Sequence, residues 1–178
     1  MGVTDDRARK LFSEVVMPHL DDAYSLARWL AGNPHDADDI VQEACLRAFR
    51  GIGQFAGGSA RAWLLAIVRN TAHTLLARRR NALVVATDDL AAAEISAGDD
   101  PDQISPEAAL IAKADAAVLD AAISSLPPAF RETLVLRDVN GLSYREIAAV
   151  TATPIGTVMS RLARARKLLM TAIGKETR

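Results

Sequence analysis

GLSYREIAAVTATPIGTVMSRLARARK, residues 141–167 of a 178-residue chain, is the stretch that decides the fold class. It predicts a helix, a tight turn and a second helix with one basic face. Ser143 and Glu146 have capping-box spacing, in which the hydroxyl and the carboxylate each satisfy an orphan backbone donor at a helix start. Ile147 and Val150 then share one face as a buried stripe. Thr153 before Pro154 marks a second start, because proline is pre-shaped for the first helical position. Beyond it Ile155, Val158, Leu162, Ala165 and Leu169 recur at three- and four-residue steps and are expected to face inward. The opposite face carries Thr157, Ser160, Arg161 and Arg164. Short hydroxyls suit base edges and guanidiniums suit phosphates. A basic amphipathic helix alone is often just a solvated face; the turn and the two caps are what favour DNA.

Composition narrows the rest. Half of the chain is apolar but only 4% is aromatic, which suits helices rich in Ala and Leu. Gly and Pro fall at segment edges, against a sandwich or barrel. No apolar run approaches the roughly 18 residues of a membrane span, and the start of the chain lacks a signal peptide's basic and apolar regions. The expectation is a cytoplasmic protein without membrane insertion. A single cysteine, Cys45, excludes an internal disulfide and a multi-cysteine metal site. His19, His35 and His73 are scattered without ligand spacing. No Ser/His/Asp set or phosphate-binding glycine loop is present, so no catalytic residue, metal or cofactor is expected. Net charge is −1, but its distribution is uneven. Residues 40–80 and 141–178 are basic, and 81–126 between them is strongly acidic. Two polyanion-facing surfaces with something different between them are implied.

Along the chain, Leu11 to Val16 and Leu20 to Leu30 make two helical stripes separated by Pro18, and Gly32-Asn33-Pro34 stops the second. The next helix opens with Asp36, Asp38 and Asp39, suited to the positive end of a helix dipole. Its inner stripe is Ala37, Ile40, Val41, Ala44 and Ala48; Asp39, Gln42, Glu43, Leu46, Arg47 and Arg50 lie outside. Gly51 to Gly58 reads as a glycine-rich loop interrupted by Phe55. Ser59 caps a long helix through Trp63 and Ile67 to Arg78, Arg79 and Arg80. Asn81 to Ser105 has linker composition, followed by helices Ser105 to Ala122 and Ala129 to Asp138.

This order of motifs resembles the bacterial sigma-70 family of RNA polymerase specificity subunits, in its extracytoplasmic-function (ECF, group IV) branch. The resemblance is carried by residues 32–43, 62–70, 126–128, 141–148 and 156–166, nearly the whole chain apart from the linker. A helix-turn-helix alone is unspecific; all of these in one order are highly specific. The implied fold is all-α: a region 2-like bundle over 1–82, a flexible acidic linker over 83–105, and a region 4-like helix-turn-helix domain over 106–178.

The resemblance also assigns roles. Asp39, Gln42, Glu43 and Leu46 would meet core RNA polymerase. Phe55, Gly57, Gly58 and Ser59, with Arg61, Arg69, Asn70, His73, Arg78, Arg79 and Arg80 on the following helix, would capture the −10 element. An unstacked base needs an apolar wall, and its backbone needs cations. Trp63, at core spacing with Ile67, would be packing. Tyr144, Arg145, Thr157, Ser160, Arg161 and Arg164 would bind the −35 duplex, with Arg166 and Lys167 adding general attraction. An anti-sigma factor is the implied further partner, with exposed Leu46 and Met159 as places for it. The chain departs from the family at Met159, where Lys is usual, at Ala152, where glycine is common, and at Thr74 and Ala77, where an Asp and a basic residue are usual. A transcription initiation factor is therefore expected. The alternatives are a decoy that sequesters an anti-sigma factor and a stand-alone helix-turn-helix regulator. The retained basic faces argue against the first, and residues 39–43 with the glycine loop argue against the second.

Overall fold

Gly32, at φ 80°, closes one helix, and Asn33 opens the next by accepting a hydrogen bond from the Asp36 amide at 2.8 Å. Pro34, expected to be part of a stop, is the first residue of the new helix, where the N–H it lacks has no partner anyway. The computed structural model describes residues 2–85 and 116–176. In chain order these form α1 (Gly2–Val15), a 3-10 turn (Met17–His19), α2 (Leu20–Ala31), α3 (Pro34–Gly51), a second 3-10 turn (Ile52–Gln54) and α4 (Ala60–Val85). Then come α5 (116–124), α6 (Pro128–Leu134), a π turn (Val135–Val139), α7 (Tyr144–Thr151) and α8 (Ile155–Glu176). The fold is all-α, with no strand among the described residues. Most of the expected linker, and the start of the helix expected from Ser105, lie outside them.

α2, α3 and α4 form the first bundle. Their seam is Leu26, Ile40, Leu64, Leu65 and Val68 between rows of alanine: Ala23 and Ala27 on α2, Ala37, Ala44 and Ala48 on α3, Ala72 on α4, all buried. Small side chains let the backbones approach closely. Val41 lies at the rim, only partly buried. α1 is pinned by Phe12 against Phe49, edge to face with centroids 5.5 Å apart. The expected glycine loop is shorter than its composition suggests. Gly51 still belongs to α3, and Ile52 is buried in the 3-10 turn.

The second bundle gathers Leu134, Val135, Leu136, Leu142, Ile147, Val150, Val158, Leu162 and Ala165. The helix expected to run to Asp138 widens into the π turn, where the Asn140 amide donates to the Val135 carbonyl at 2.9 Å. The capping box forms in both directions: the Ser143 amide donates to Glu146 at 2.8 Å and the Glu146 amide to Ser143 at 3.3 Å. Ile155 departs from expectation. It sits in the first turn of α8 and is 45% exposed, because α7 packs only from Val158 onward.

The α7–α8 turn keeps its shape without the glycine. Ala152 is left-handed at φ 51°, ψ 41°, and is the only non-glycine residue with positive φ among the described residues. An L-residue pays about 1 kcal/mol there. Ala152→Gly is therefore expected to raise stability by about that amount, a Tm gain of about 2–4 °C by calorimetry; an unchanged or lower Tm would show that the turn is unstrained.

The two bundles lie against each other, α4 on α7 and α2 on α6 and the π turn. Their buried residues form one contiguous apolar cluster.

Candidate nucleic-acid and polymerase interfaces

α4 turns much of its cationic face toward the second bundle. Glu132 of α6, 5% exposed, accepts from Arg69 Nε at 2.8 Å and lies 3.1 Å from His73 Nε2. Burial pushes the Glu132 carboxyl up, but the His73 hydrogen bond and the Arg69 charge outweigh it and hold the group below the usual carboxylate range. A depressed carboxyl contributes stability that is complete above its unfolded pKa and lost as pH falls through the folded one. The clasp is therefore intact at neutral pH and fails only in acid. Nearer the start of α4, the Ser59 hydroxyl, with Ser143 and Arg61, holds the Glu146 carboxyl of α7 below the usual carboxylate range.

A second polar node lies between the bundles. Arg61 donates to Asp22 at 2.6 Å, and Asn140 Nδ2 donates to the Asp22 carbonyl at 3.2 Å. Here the fit is imperfect. Arg61 Nε and Asn140 Oδ1 are buried with no protein partner among the described residues. Each unsatisfied group costs about 1–3 kcal/mol, which would be recovered in water. The contact is thus specific but incompletely satisfied.

Between the two bundles is a cleft of about 770 Å³, lined among others by Arg69, His73, Arg79, Arg80, Arg131 and Arg161. Residues from both expected DNA-binding faces meet in it. Arg79 is held by Asp36 and, at 2.7 Å, by Asp39.

Elsewhere the candidate surfaces are open. On α3, Gln42 and Leu46 are exposed, Asp39 and Glu43 partly so, and Glu43 accepts from Arg47 at 2.7 Å, which lowers its pKa. On α8, Ser160 and Arg164 are exposed, with Thr157 and Arg161 partly covered. Ser160 donates to the Thr157 carbonyl at 3.0 Å and retains its acceptor lone pairs.

Sequence comparisons agree with this layout. The model of sigma-70 region 2 matches residues 15–82, and that of sigma-70 region 4 matches 116–169. The chain is 36% identical over 173 residues to the ECF RNA polymerase sigma factor SigE of Mycolicibacterium smegmatis, covering 97% of this chain and 65% of that protein. It is 36% identical to the RNA polymerase sigma-H factor of Pseudomonas aeruginosa, over 93% of this chain and 87% of that one. It is 38% identical to the ECF RNA polymerase sigma-E factor of Escherichia coli K12, over 75% and 72%. The chain belongs to the sigma-70 family, in its extracytoplasmic-function branch. It spans about two thirds of the length of the SigE relative. Among solved structures, the sigma factor RpoE in complex with the anti-sigma factor NepR from Bartonella quintana superposes with TM-score 0.74 at 25% identity, over 92% of this chain and 96% of that one. CnrH in complex with the cytosolic domain of CnrY shares the fold, with TM-score 0.65 at 24% identity over 96% and 95%.

Against this sigma factor's structure, the expected −10 set divides. Gly57 and Gly58 are exposed at φ 92° and 88°, and Asn70, Arg78 and Arg80 are exposed on α4. Phe55 lines the loop but rests on Trp63, 5.3 Å between centroids, while Trp63 packs on the core. Ser59 is exposed, but Arg61, Arg69 and His73 are not free as expected; they are engaged by Asp22 and Glu132, which offer carboxylates where a nucleic acid would offer phosphate. Thr74, where the family has Asp, donates to the Asn70 carbonyl on its own helix at 2.8 Å. In the −35 set, Arg145 is exposed and Tyr144 is partly buried, its ring 5.0 Å from the Arg137 guanidinium. Arg166, given a general role, is bound to Asp138 at 2.7 Å.

Sequence reasoning missed Glu132, Asp22 and Asn140. Glu132 carried a signal: it lies four residues before Leu136, so an acid occupies an inward position of α6.

Proposed function

We propose that this sigma factor joins core RNA polymerase through the outer face of α3 and directs it to promoters with two elements, reading −35 duplex with α8 and capturing a −10 strand with the glycine loop and α4. Residues 1–82, 83–105 and 106–178 serve as the polymerase and −10 domain, the linker and the −35 domain. The factor does no covalent chemistry and works in the cytoplasm; no helix among the described residues is long and apolar enough to cross a membrane. The observation that carries this proposal is an acidic-polar face on α3 and a basic recognition helix on one chain, both open to solvent.

Strand capture requires one rearrangement. Arg69 and His73 must leave Glu132, so the bundles separate when the factor engages polymerase and promoter. The likeness to a sigma factor captured with its anti-sigma factor, extending over both bundles, supports the arrangement described here as an inactive one. An anti-sigma factor would be a partner of this closed state.

Reconstituted run-off transcription beside a core-binding assay tests the proposal. Specific transcripts from a genomic promoter pool are expected. Core binding without transcripts would favour the decoy, and no core binding the stand-alone regulator. Asp39→Ala with Gln42→Ala is expected to weaken core binding about tenfold at unchanged helix content, since Gln42 is exposed and Asp39, partly so, holds only Arg79 at the surface. Unchanged affinity would remove α3 from the docking surface.

A further inference from the structure

The N-terminal half of the recognition helix is more apolar on its outer side than a duplex-reading surface needs to be. Ile155 is 45% and Met159 53% exposed, one helical turn apart, and Ala163 extends the line by another turn. The polar groups beside them are few. Ser160 has already spent its hydrogen on the Thr157 carbonyl, and Thr157 is partly covered. The surround is cationic: Arg145, Arg164 and Lys167 are exposed with no partner among the described residues.

An apolar patch in a cationic frame fits a duplex better than a protein groove. The arginines and the lysine hold phosphates, while the patch meets base edges. In the major groove the one methyl group on a base edge, and the largest apolar feature there, is the C5-methyl of thymine. We propose that Met159, supported by Ile155 and Ala163, reads one or two thymine methyls in the −35 element, so that this chain's upstream specificity is partly a methyl specificity. The inference rests on the −35 role of α8 proposed above. It would make Met159, which stands where the family usually has Lys, a base-reading residue rather than a lost phosphate contact. Ser160, left with lone pairs only, would accept from a neighbouring cytosine or adenine amino group.

The test uses holoenzyme reconstituted from the full chain and core polymerase. Upstream duplexes are first selected from a randomised library. Each thymine of the selected site is then replaced singly by deoxyuridine, which deletes the methyl and leaves every hydrogen-bonding group in place. One or two replacements are expected to weaken binding by wild-type holoenzyme about fourfold each, the worth of one buried methyl-sized group. Met159→Ala is expected to bind the thymine and deoxyuridine sites equally well. Deoxyuridine tolerated at every position would overturn the methyl reading. So would a Met159→Ala variant that keeps the wild-type discrimination. Arg164→Ala serves as the separate control: if it still abolishes selection, the −35 role of α8 stands and only the methyl inference falls. If it abolishes nothing, the role of α8 falls first. Loss of binding to a protein partner by Met159→Ala, with DNA discrimination unchanged, would reassign the patch to that partner.

Discussion

Glu132→Ala is expected to spring this sigma factor open: its scattering radius should grow, and its apparent affinity for core polymerase should rise about tenfold. The reason lies in what the carboxylate does. It sits 5% exposed in α6 and neutralises Arg69, itself 18% exposed, across the bundle boundary. Removing one partner of a buried ion pair typically costs about 3–5 kcal/mol, because the other charge is left without compensation. Here the stranded charge has an escape. Arg69 regains water if the bundles part, and Arg61 Nε and Asn140 Oδ1 gain partners by the same motion. The cost should therefore appear as opening rather than unfolding. If the binding-competent form is about a tenth of the population, releasing it raises apparent affinity about tenfold, the inverse of that fraction. Arg69→Ala separates the two roles of the pair: it should open the factor equally, yet impair transcription by losing a strand contact. A Glu132→Ala protein with wild-type radius, core affinity and helix content would show that the clasp holds nothing shut.

Arg161→Ala with Arg164→Ala is expected to weaken binding to −35 duplex about a hundredfold, taking each lost contact at about 1–3 kcal/mol. Core binding should be untouched, because neither side chain belongs to the outer face of α3. Salt separates two versions of this outcome. If both arginines meet phosphates, the slope of log affinity against log salt shrinks by about two; if they read bases, the slope holds and discrimination among sequences collapses. Arg164 is exposed and Arg161 only edges the cleft, so the fold should survive, as circular dichroism would report. Duplex affinity within twofold of wild type would remove α8 from the DNA.

Much of the architecture was legible along the chain because helices announce themselves locally. Ser143 and Glu146 made their capping box, Gly32 closed α2, and the stripe Val158, Leu162, Ala165 went inside as its spacing required. Period and cap chemistry depend on residues within one or two turns, so sequence exposes them directly. The failures come at ends and boundaries. Ile155 fits the apolar period but lies beyond the reach of α7, and α3 starts at Pro34, two residues before the expected Asp36, because Asn33 caps it. Helix ends depend on what the neighbouring segment does, and that is not written in the period.

The candidate surfaces divide the same way. The chain by itself determined which residues could meet nucleic acid or polymerase, since the charges, hydroxyls and glycines are matters of composition and spacing. Only the tertiary structure decided which of them are free. Glu132 is 63 residues from Arg69, Asp22 is 118 from Asn140, and no local pattern couples such pairs. The packing of α6 and α7 on α4 brings them together. It leaves the α3 and α8 faces in water and places the side of α4 proposed to capture a strand against carboxylates, because a buried guanidinium takes whichever anion the fold supplies.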